Sequence, residues 1–310
     1  MNLQTIIGGN GTIGKEVAKH LHSMNIHVRI ASRSPKKVNS SDQVFTMDVF
    51  NEQSVSEAIK GSSVVYLILG LPYKDRVWLN GFPKAVRAVI NACKKEGAKL
   101  VYFDNVYMYG LVDETMTEDL PSKPDSVKGT ARMIAADLIL EAIKNQELQA
   151  MICRSADFYG DYAYFDIIKQ IAVALQKNKK AMLLFREDKK HSITYIPDAA
   201  KAVAFLAQQL DAYQQIWHLP TDSNALTGKQ LVELVADVIN KESRYKVISK
   251  GMIKFISFFN RQLRELIKLS YQWENDYLFS SEKLEKKYNI KPLSYKDGIT
   301  DHLKKIGILK

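Results

Sequence analysis

Cysteine is scarce in this chain: Cys93 and Cys153 are the only two in 310 residues. They stand far apart and lack the spacing of a metal site. That excludes a disulfide framework or a cysteine zinc centre and fits a reduced, cytoplasmic setting. Neither an H-E-x-x-H pair nor a G-x-S-x-G elbow occurs, so zinc-peptidase and serine-hydrolase chemistry have no foothold. Long apolar runs are missing too. Nothing approaches the ~20 residues that cross a bilayer, and the first apolar segment breaks at once into glycines instead of extending as a leader peptide. Proline is sparse, with eight residues, and no flexible linker, repeat or low-complexity tract divides the chain.

The remaining composition is that of an ordinary globular protein, 46% hydrophobic and 25% charged, long enough for one large or two interlocked domains. Its formal net charge is +10. The basic residues are scattered in pairs, such as Lys36-Lys37, Lys94-Lys95 and Lys179-Lys180, without interleaved aromatics or a nucleic-acid motif. No nucleic-acid partner is expected. The surplus reads as solvated helix ends and a field that attracts an anionic cofactor or small-molecule substrate.

One stretch organises the rest: Thr5-Ile6-Ile7-Gly8-Gly9-Asn10-Gly11-Thr12-Ile13-Gly14. Leu3, Ile6 and Ile7 read as a buried strand, and Val17, Ala18 and Leu21 continue from Ile13 at helical spacing. Gly8, Gly11 and Gly14 therefore stand on a strand-to-helix turn, where backbone amides and a helix N-terminus reach a pyrophosphate. Gly9, Gly14 and Lys15 also match an NTPase phosphate loop, but its magnesium-binding Ser/Thr place holds Glu16, which excludes that reading. A second strand, Ile26 to Ala31, runs into Ser32-Arg33-Ser34. An NAD site carries an acid near here for the ribose 2′-hydroxyl, yet none occurs between Asn25 and Ser41. Arg33, with Ser32 and Lys36 beside it, suits a 2′-phosphate, so NADP is expected over NAD.

A third strand, Val44 to Met47, ends at Asp48-Val49, a place for adenine contacts. Asn51 caps the next helix, and Val64 to Leu69 form a strand covered on both faces that ends at Leu69-Gly70. A long helix from about residue 75 precedes strand five, Lys99 to Phe103. Another, from about Lys128 to Lys144, precedes strand six, Ala150 to Arg154. This alternation predicts a doubly wound parallel α/β sheet whose site lies at the carboxyl strand ends. Later elements are a helix around Phe165, Ile168, Ile171 and Ala172, strands at Met182 to Phe185 and Ile193 to Ile196, and a capping box at Thr227-Gly228-Lys229-Gln230. The apolar, basic stretch 251–273, with Phe255, Ile256, Phe258, Phe259, Leu263, Leu266 and Ile267, has the composition of a membrane-surface helix. Its broad apolar arc favours burial within a lobe, and no membrane partner is expected.

Four segments, in order, resemble the extended branch of the short-chain dehydrogenase/reductase superfamily, the NAD(P)-dependent epimerases and dehydratases. The glycine loop matches GxxGxxG, and Val106-Tyr107-Met108-Tyr109-Gly110 matches a VYG turn. Arg154-Ser155-Ala156-Asp157-Phe158-Tyr159-Gly160 looks like R-P-x-N-x-Y-G, and Ser192 to Ala200 resembles F-x-x-V-x-D-x-A. The resemblance implies a Rossmann domain, residues 1–160 with a return at about 191–220. It also implies a smaller, mostly helical substrate lobe from 161–190 and 221–310, with the site between the two. Cofactor contacts would fall on Gly8, Gly11, Thr12, Ile13, Gly14, Ser32, Arg33, Asp48, Val49, Leu69, Gly70 and Arg132.

The catalytic positions depart from the family. Lys128 stands where its acid/base Tyr belongs, Arg132 where its Lys belongs, and Asn105 where its Ser or Thr belongs. An arginine cannot act as a base, but Arg132 can donate to ribose hydroxyls and hold a positive field. A lysine on a first helical turn ordinarily stands in solvent and needs a lowered pKa to act as an acid. Tyr107 leads the other proton donors, followed by Tyr73, Asp104 and Asp157. Tyr109 and Tyr159 read as turn residues, and His191 and His218 as structural. Two functions are compatible: an atypical reductase, epimerase or dehydratase acting on a small hydroxyl- or carbonyl-bearing molecule, or a non-catalytic NADP-sensing regulator like the NmrA-like relatives. Relatives in this branch often pair through their two long helices, here about 75–95 and 128–144, so the resemblance is compatible with a homodimer.

Overall fold

A computed structural model describes residues 3–161, 163 and 166–309; Phe165 lies outside them. In chain order the elements are β1 Leu3–Ile7, α1 Thr12–Ser23, β2 His27–Ser32, β3 Gln43–Thr46, α2 Glu52–Ile59, β4 Val64–Leu67, α3 Asp75–Glu96 and β5 Lys99–Asp104. Then follow α4 Val127–Lys144, β6 Ala150–Arg154, β7 Asp157–Tyr159, α5 Ile167–Gln176, β8 Ala181–Leu184, β9 Lys190–His191, β10 Ile193–Tyr195 and α6 Ile196–Leu206. The chain ends with β11 Ile216–His218, β12 Leu226–Thr227, α7 Gly228–Val238, β13 Tyr245–Ile248, α8 Lys250–Ser257, α9 Arg261–Ile267, α10 Tyr271–Glu274, α11 Glu282–Tyr288 and α12 Tyr295–Lys305.

The chain divides into two compact units, the first of residues 1–110, 121–155 and 197–219 and the second of 111–120, 156–196 and 220–310. In the first unit seven parallel strands form a sheet in the order β11-β6-β5-β4-β1-β2-β3. The order reverses direction after β1, the signature of a doubly wound sheet, and β1 pairs with both β2 and β4. Continuous apolar strands such as Val64–Leu67 are buried along their whole length because helices cover both faces. Val65, Leu67, Tyr102 and Ile152 on one face pack against Val55, Phe82, Val86, Val89, Ala131, Ala135 and Ile139 of α2, α3 and α4. Asn51 caps α2 as read from the sequence, its side chain accepting from the Ser54 amide at 3.0 Å.

The second unit holds three two-stranded sheets, β7 with β10, β9 with β12 and β8 with β13. Its core joins Ile168, Ile171 and Ala172 of α5 to Val232 and Val235 of α7 and Ile299 and Leu303 of α12. The Thr227–Gln230 capping box is formed in both directions, at 3.2 and 2.9 Å. The stretch 251–273 departs from expectation. It is divided among α8, α9 and α10, and instead of burying its apolar face it leaves Met252, Phe255, Ile256, Phe258 and Phe259 exposed. No described helix is long and apolar enough to cross a membrane.

Candidate active site

The first unit brings its chemistry to the carboxyl ends of the parallel strands. Gly8 follows β1 with φ +88°, and a Cβ there would meet the Ile68 carbonyl oxygen at 2.1 Å. Only glycine fits this left-handed, crowded position. A Cβ on Gly14 would lie 2.6 Å from both the Gly8 carbonyl oxygen and the Gly9 Cα, so α1 packs against the loop only because that atom is missing. Gly11 caps α1 without a side chain, and no acid stands in the first turn around Thr12 and Ile13. The helix therefore presents its positive end uncompensated, as an anion requires. Glu16, which ruled out a phosphate loop, is buried and paired with Lys19.

Asn10 is a contributor that the sequence reading missed. Its side chain donates to the Lys36 carbonyl at 2.7 Å and accepts from the Lys36 amide at 2.9 Å, with the Ser32 hydroxyl at 3.4 Å. It ties the loop after β2 to the glycine turn. Arg33 stands exposed on that loop, without an ion pair among the described residues, and Ser32, Arg33 and Ser34 line an open cavity of about 420 Å³. Asp48 is exposed after β3 and accepts from the Phe50 amide at 3.1 Å, while Val49 is buried. After β4, Leu69 packs against the core and Gly70 is exposed.

At the ends of β4 and β5 the structure gathers Tyr73, Asn105, Tyr107, Lys128 and Arg132. Lys128 is not in solvent. It is 1% exposed, bonds Asp75 at 2.7 Å and lies 4.4 Å from the Tyr73 ring centre. A buried ammonium needs such a carboxylate and π face. The Tyr73 hydroxyl donates to that of Tyr107 at 3.4 Å, and the Tyr107 ring stacks on Trp78 at 6.1 Å. Asn105 turns its side-chain oxygen back to accept from the Tyr107 amide at 3.1 Å, at the start of the 3-10 turn Tyr107–Tyr109.

Arg132 points into a buried polar network. It donates to the Tyr102 hydroxyl at 3.0 Å and to Asp104 at 3.4 Å, with its guanidinium 4.1 Å from the Phe82 ring centre. Its Nε and the Trp78 Nε1 are buried without a hydrogen-bond partner. Asp104, wholly buried, also accepts from Arg154 at 3.4 Å. Arg154 in turn donates to the Tyr109 hydroxyl at 2.9 Å, which lies 2.7 Å from His218 Nε2. Burial works against the charge of both arginines most strongly, yet Tyr102 and Asp104 hold Arg132 above its ordinary pKa, and Tyr109 and Asp104 do the same for Arg154. Asp104 is thus the shared counter-ion of two guanidinium groups. Asp157 and His191, both in the second unit, bond each other at 3.1 Å. His191 also faces the Gln272 carbonyl at 2.9 Å and stacks on Trp273.

The fold is shared with solved structures of low sequence identity. UDP-glucose 4-epimerase of Thermus thermophilus, in complex with NAD, is 17% identical with a TM-score of 0.75, covering 97% of this chain and 99% of its own. A dTDP-glucose 4,6-dehydratase of Bacillus anthracis, in complex with NAD, is 14% identical with a TM-score of 0.81, covering 98% and 96%. UDP-N-acetylglucosamine 4-epimerase of Bacillus cereus is 15% identical with a TM-score of 0.77, covering 100% and 98%. No curated protein sequence matches the chain. The family model for NAD-dependent epimerases and dehydratases, in contrast, matches residues 5–219, and the chain belongs to the NAD-dependent epimerase/dehydratase family.

Proposed function

We propose that this protein binds NADP at the glycine turn and acts as an atypical reductase, epimerase or dehydratase on a hydroxyl- or carbonyl-bearing small molecule. The observation that carries the reading is the cradle itself. Gly8 and Gly14 leave room that a side chain would fill, an uncapped helix end follows, and Asn10 holds the Arg33 loop beside them. Solved neighbours are sugar-nucleotide enzymes in complex with NAD, which makes sugar nucleotides the first substrates to try. Arg33, exposed with Ser32 beside it and no acid nearby, is the residue assigned to a 2′-phosphate.

The nicotinamide, when bound, supplies hydride chemistry. The chain supplies orientation and a proton. Lys128 is engaged by Asp75, so it serves as a fixed cation rather than as the acid. The paired hydroxyls of Tyr73 and Tyr107 are the proton donors we assign, and the Asn105 side chain orients the substrate. Arg132 keeps positive charge beneath them, held by Tyr102 and Asp104. A second reading, a non-catalytic NADP-sensing regulator, is favoured by the alignment that sets Lys128 and Arg132 where the family's Tyr and Lys are expected.

Titration with NADPH and NADH, followed by NADPH oxidation with a panel of sugar nucleotides, ketones and aldehydes, separates these readings. NADPH is expected to bind about tenfold more tightly than NADH, and Arg33→Ala to erase the difference, as loss of one charge-assisted contact predicts. No saturable signal at millimolar cofactor removes the proposal, and a preference for NADH removes only the Arg33 assignment. Turnover with any carbonyl substrate sets the regulator reading aside.

A further inference from the structure

Helix α8 is amphipathic in an inverted sense. Ile253 and Ser257 are buried and anchor it, whereas Phe255, Phe258 and Phe259 are 70%, 76% and 87% exposed. Met252 and Ile256 extend the same exposed patch. An exposed cluster of three phenylalanines within five residues is not the ordinary scatter of single apolar side chains on a surface. Its surroundings carry a surplus of positive charge. From residue 246 to 274 the chain carries Lys246, Lys250, Lys254, Arg261, Arg264 and Lys268 against two acids, Glu265 and Glu274. Glu265 is bonded by Lys268 at 3.0 Å and Glu274 by Lys250 at 2.7 Å, so both pairs are neutral and four of the six cations remain in surplus. Lys254 and Arg264 are exposed.

We propose that the Met252–Phe259 patch docks this protein on the surface of an anionic lipid bilayer. Phenylalanines enter the boundary between headgroups and acyl chains, and flanking lysines and arginines meet anionic headgroups with their stems lying along apolar surface. The charge decides between occupants. A second copy seated on the patch sets a strongly basic segment against itself, which like-charge repulsion opposes, whereas an anionic bilayer complements it. The docking is peripheral, since no described helix spans a membrane.

The test is co-flotation of the full-length protein with phosphatidylcholine vesicles made with and without phosphatidylglycerol, at low and high salt. Wild type is expected to float with the anionic vesicles only, and to be released by salt. The triple variant Phe255→Ser, Phe258→Ser, Phe259→Ser should lose at least about tenfold in partition, because its apolar insertion is gone. Lys254→Gln and Arg264→Gln should each weaken binding about fivefold. Because the three phenylalanines are exposed, an unchanged thermal melt certifies that the triple variant is folded. Failure of wild type to float on anionic vesicles at low salt overturns the proposal, as does equal flotation of the triple variant. Sedimentation equilibrium adds a third arm: a wild-type dimer that the triple variant abolishes assigns the patch to a second copy instead.

Discussion

Asp104→Asn is the substitution that most directly probes how the site is held. It keeps side-chain volume and removes the one buried carboxylate that both Arg132 and Arg154 bond, each at 3.4 Å. Among the described residues no other carboxylate bonds either guanidinium; Asp137 feels Arg154 only at longer range. Removing one partner of a buried ion pair costs about 3–5 kcal/mol, chiefly because the surviving charge stays buried without compensation. Both contacts are long and the asparagine oxygen still accepts, which places the expected loss near the lower limit, at about 3 kcal/mol. Urea unfolding followed by circular dichroism measures it. The double variant Asp104→Asn, Arg154→Met then separates charge imbalance from lost hydrogen bonds. If imbalance dominates, removing Arg154 restores part of the loss, and the double variant is more stable than the two single costs predict by about 1 kcal/mol or more. A single-variant loss below about 1 kcal/mol, or strictly additive costs, would refute the counter-ion argument.

Gly14→Ala places a Cβ 2.6 Å from the Gly8 carbonyl oxygen and the Gly9 Cα; calorimetric titration should show NADPH affinity falling at least about tenfold as the helix is pushed off the turn. Asp75→Asn should cost about 2–3 kcal/mol in urea melts, because Lys128 keeps a buried charge, whereas Lys128→Met, which leaves only a part-exposed carboxylate, should cost about 1 kcal/mol or less; the reverse order would show that the ion pair does not set the cost. Acid stability carries a third signature. Burial is the largest single influence on Asp301 and acts to raise its carboxyl, but the bonds from Lys305 and Tyr195 outweigh it and hold the carboxyl below its ordinary range. A depressed folded pKa gives stability that is complete above the unfolded value of about 4 and is lost as pH falls through the folded one. Asp301→Asn should therefore lose less melting temperature than wild type between about pH 5 and pH 2.5, and parallel curves would contradict this.

The sheet is legible in the sequence because central strands such as Val64–Leu67 are short apolar runs and helices such as α2 carry their own period and cap. The glycine turn was readable for a related reason: glycine is placed by local backbone demands, and Gly8 and Gly14 meet those demands within the turn and its neighbouring strand. Asn10 escaped notice because its partners, Ser32 and Lys36, lie a whole β-α-β unit away. Lys128 departs from its expected solvated position for a similar reason. A lysine on a first helical turn is solvated unless another element covers it, and the covering residues, Tyr73 and Asp75, come from the loop before α3 and its first turn. The 251–273 stretch failed differently. Its composition is that of a buried helix or of an interfacial one, and periodicity does not distinguish the two when the apolar arc is broad.

A lysine buried at the head of α4 sets what must surround that position. A tyrosine tolerates an apolar wall, whereas a lysine with 1% exposure requires a carboxylate and finds Asp75 at 2.7 Å, with the Tyr73 ring 4.4 Å away. One turn along, the guanidinium of Arg132 is met by Tyr102 and Asp104, with the ring of Phe82 4.1 Å away. Both cations are thus built into the packing of α3 against α4 and have become part of the wall. Their ion pairs with Asp75 and Asp104 fix both cations in place. The hydroxyls of Tyr73 and Tyr107 bond each other at 3.4 Å, and the Tyr73 ring lies 4.4 Å from the Lys128 ammonium. We therefore assign the proton to the tyrosine pair and the standing positive charge to α4.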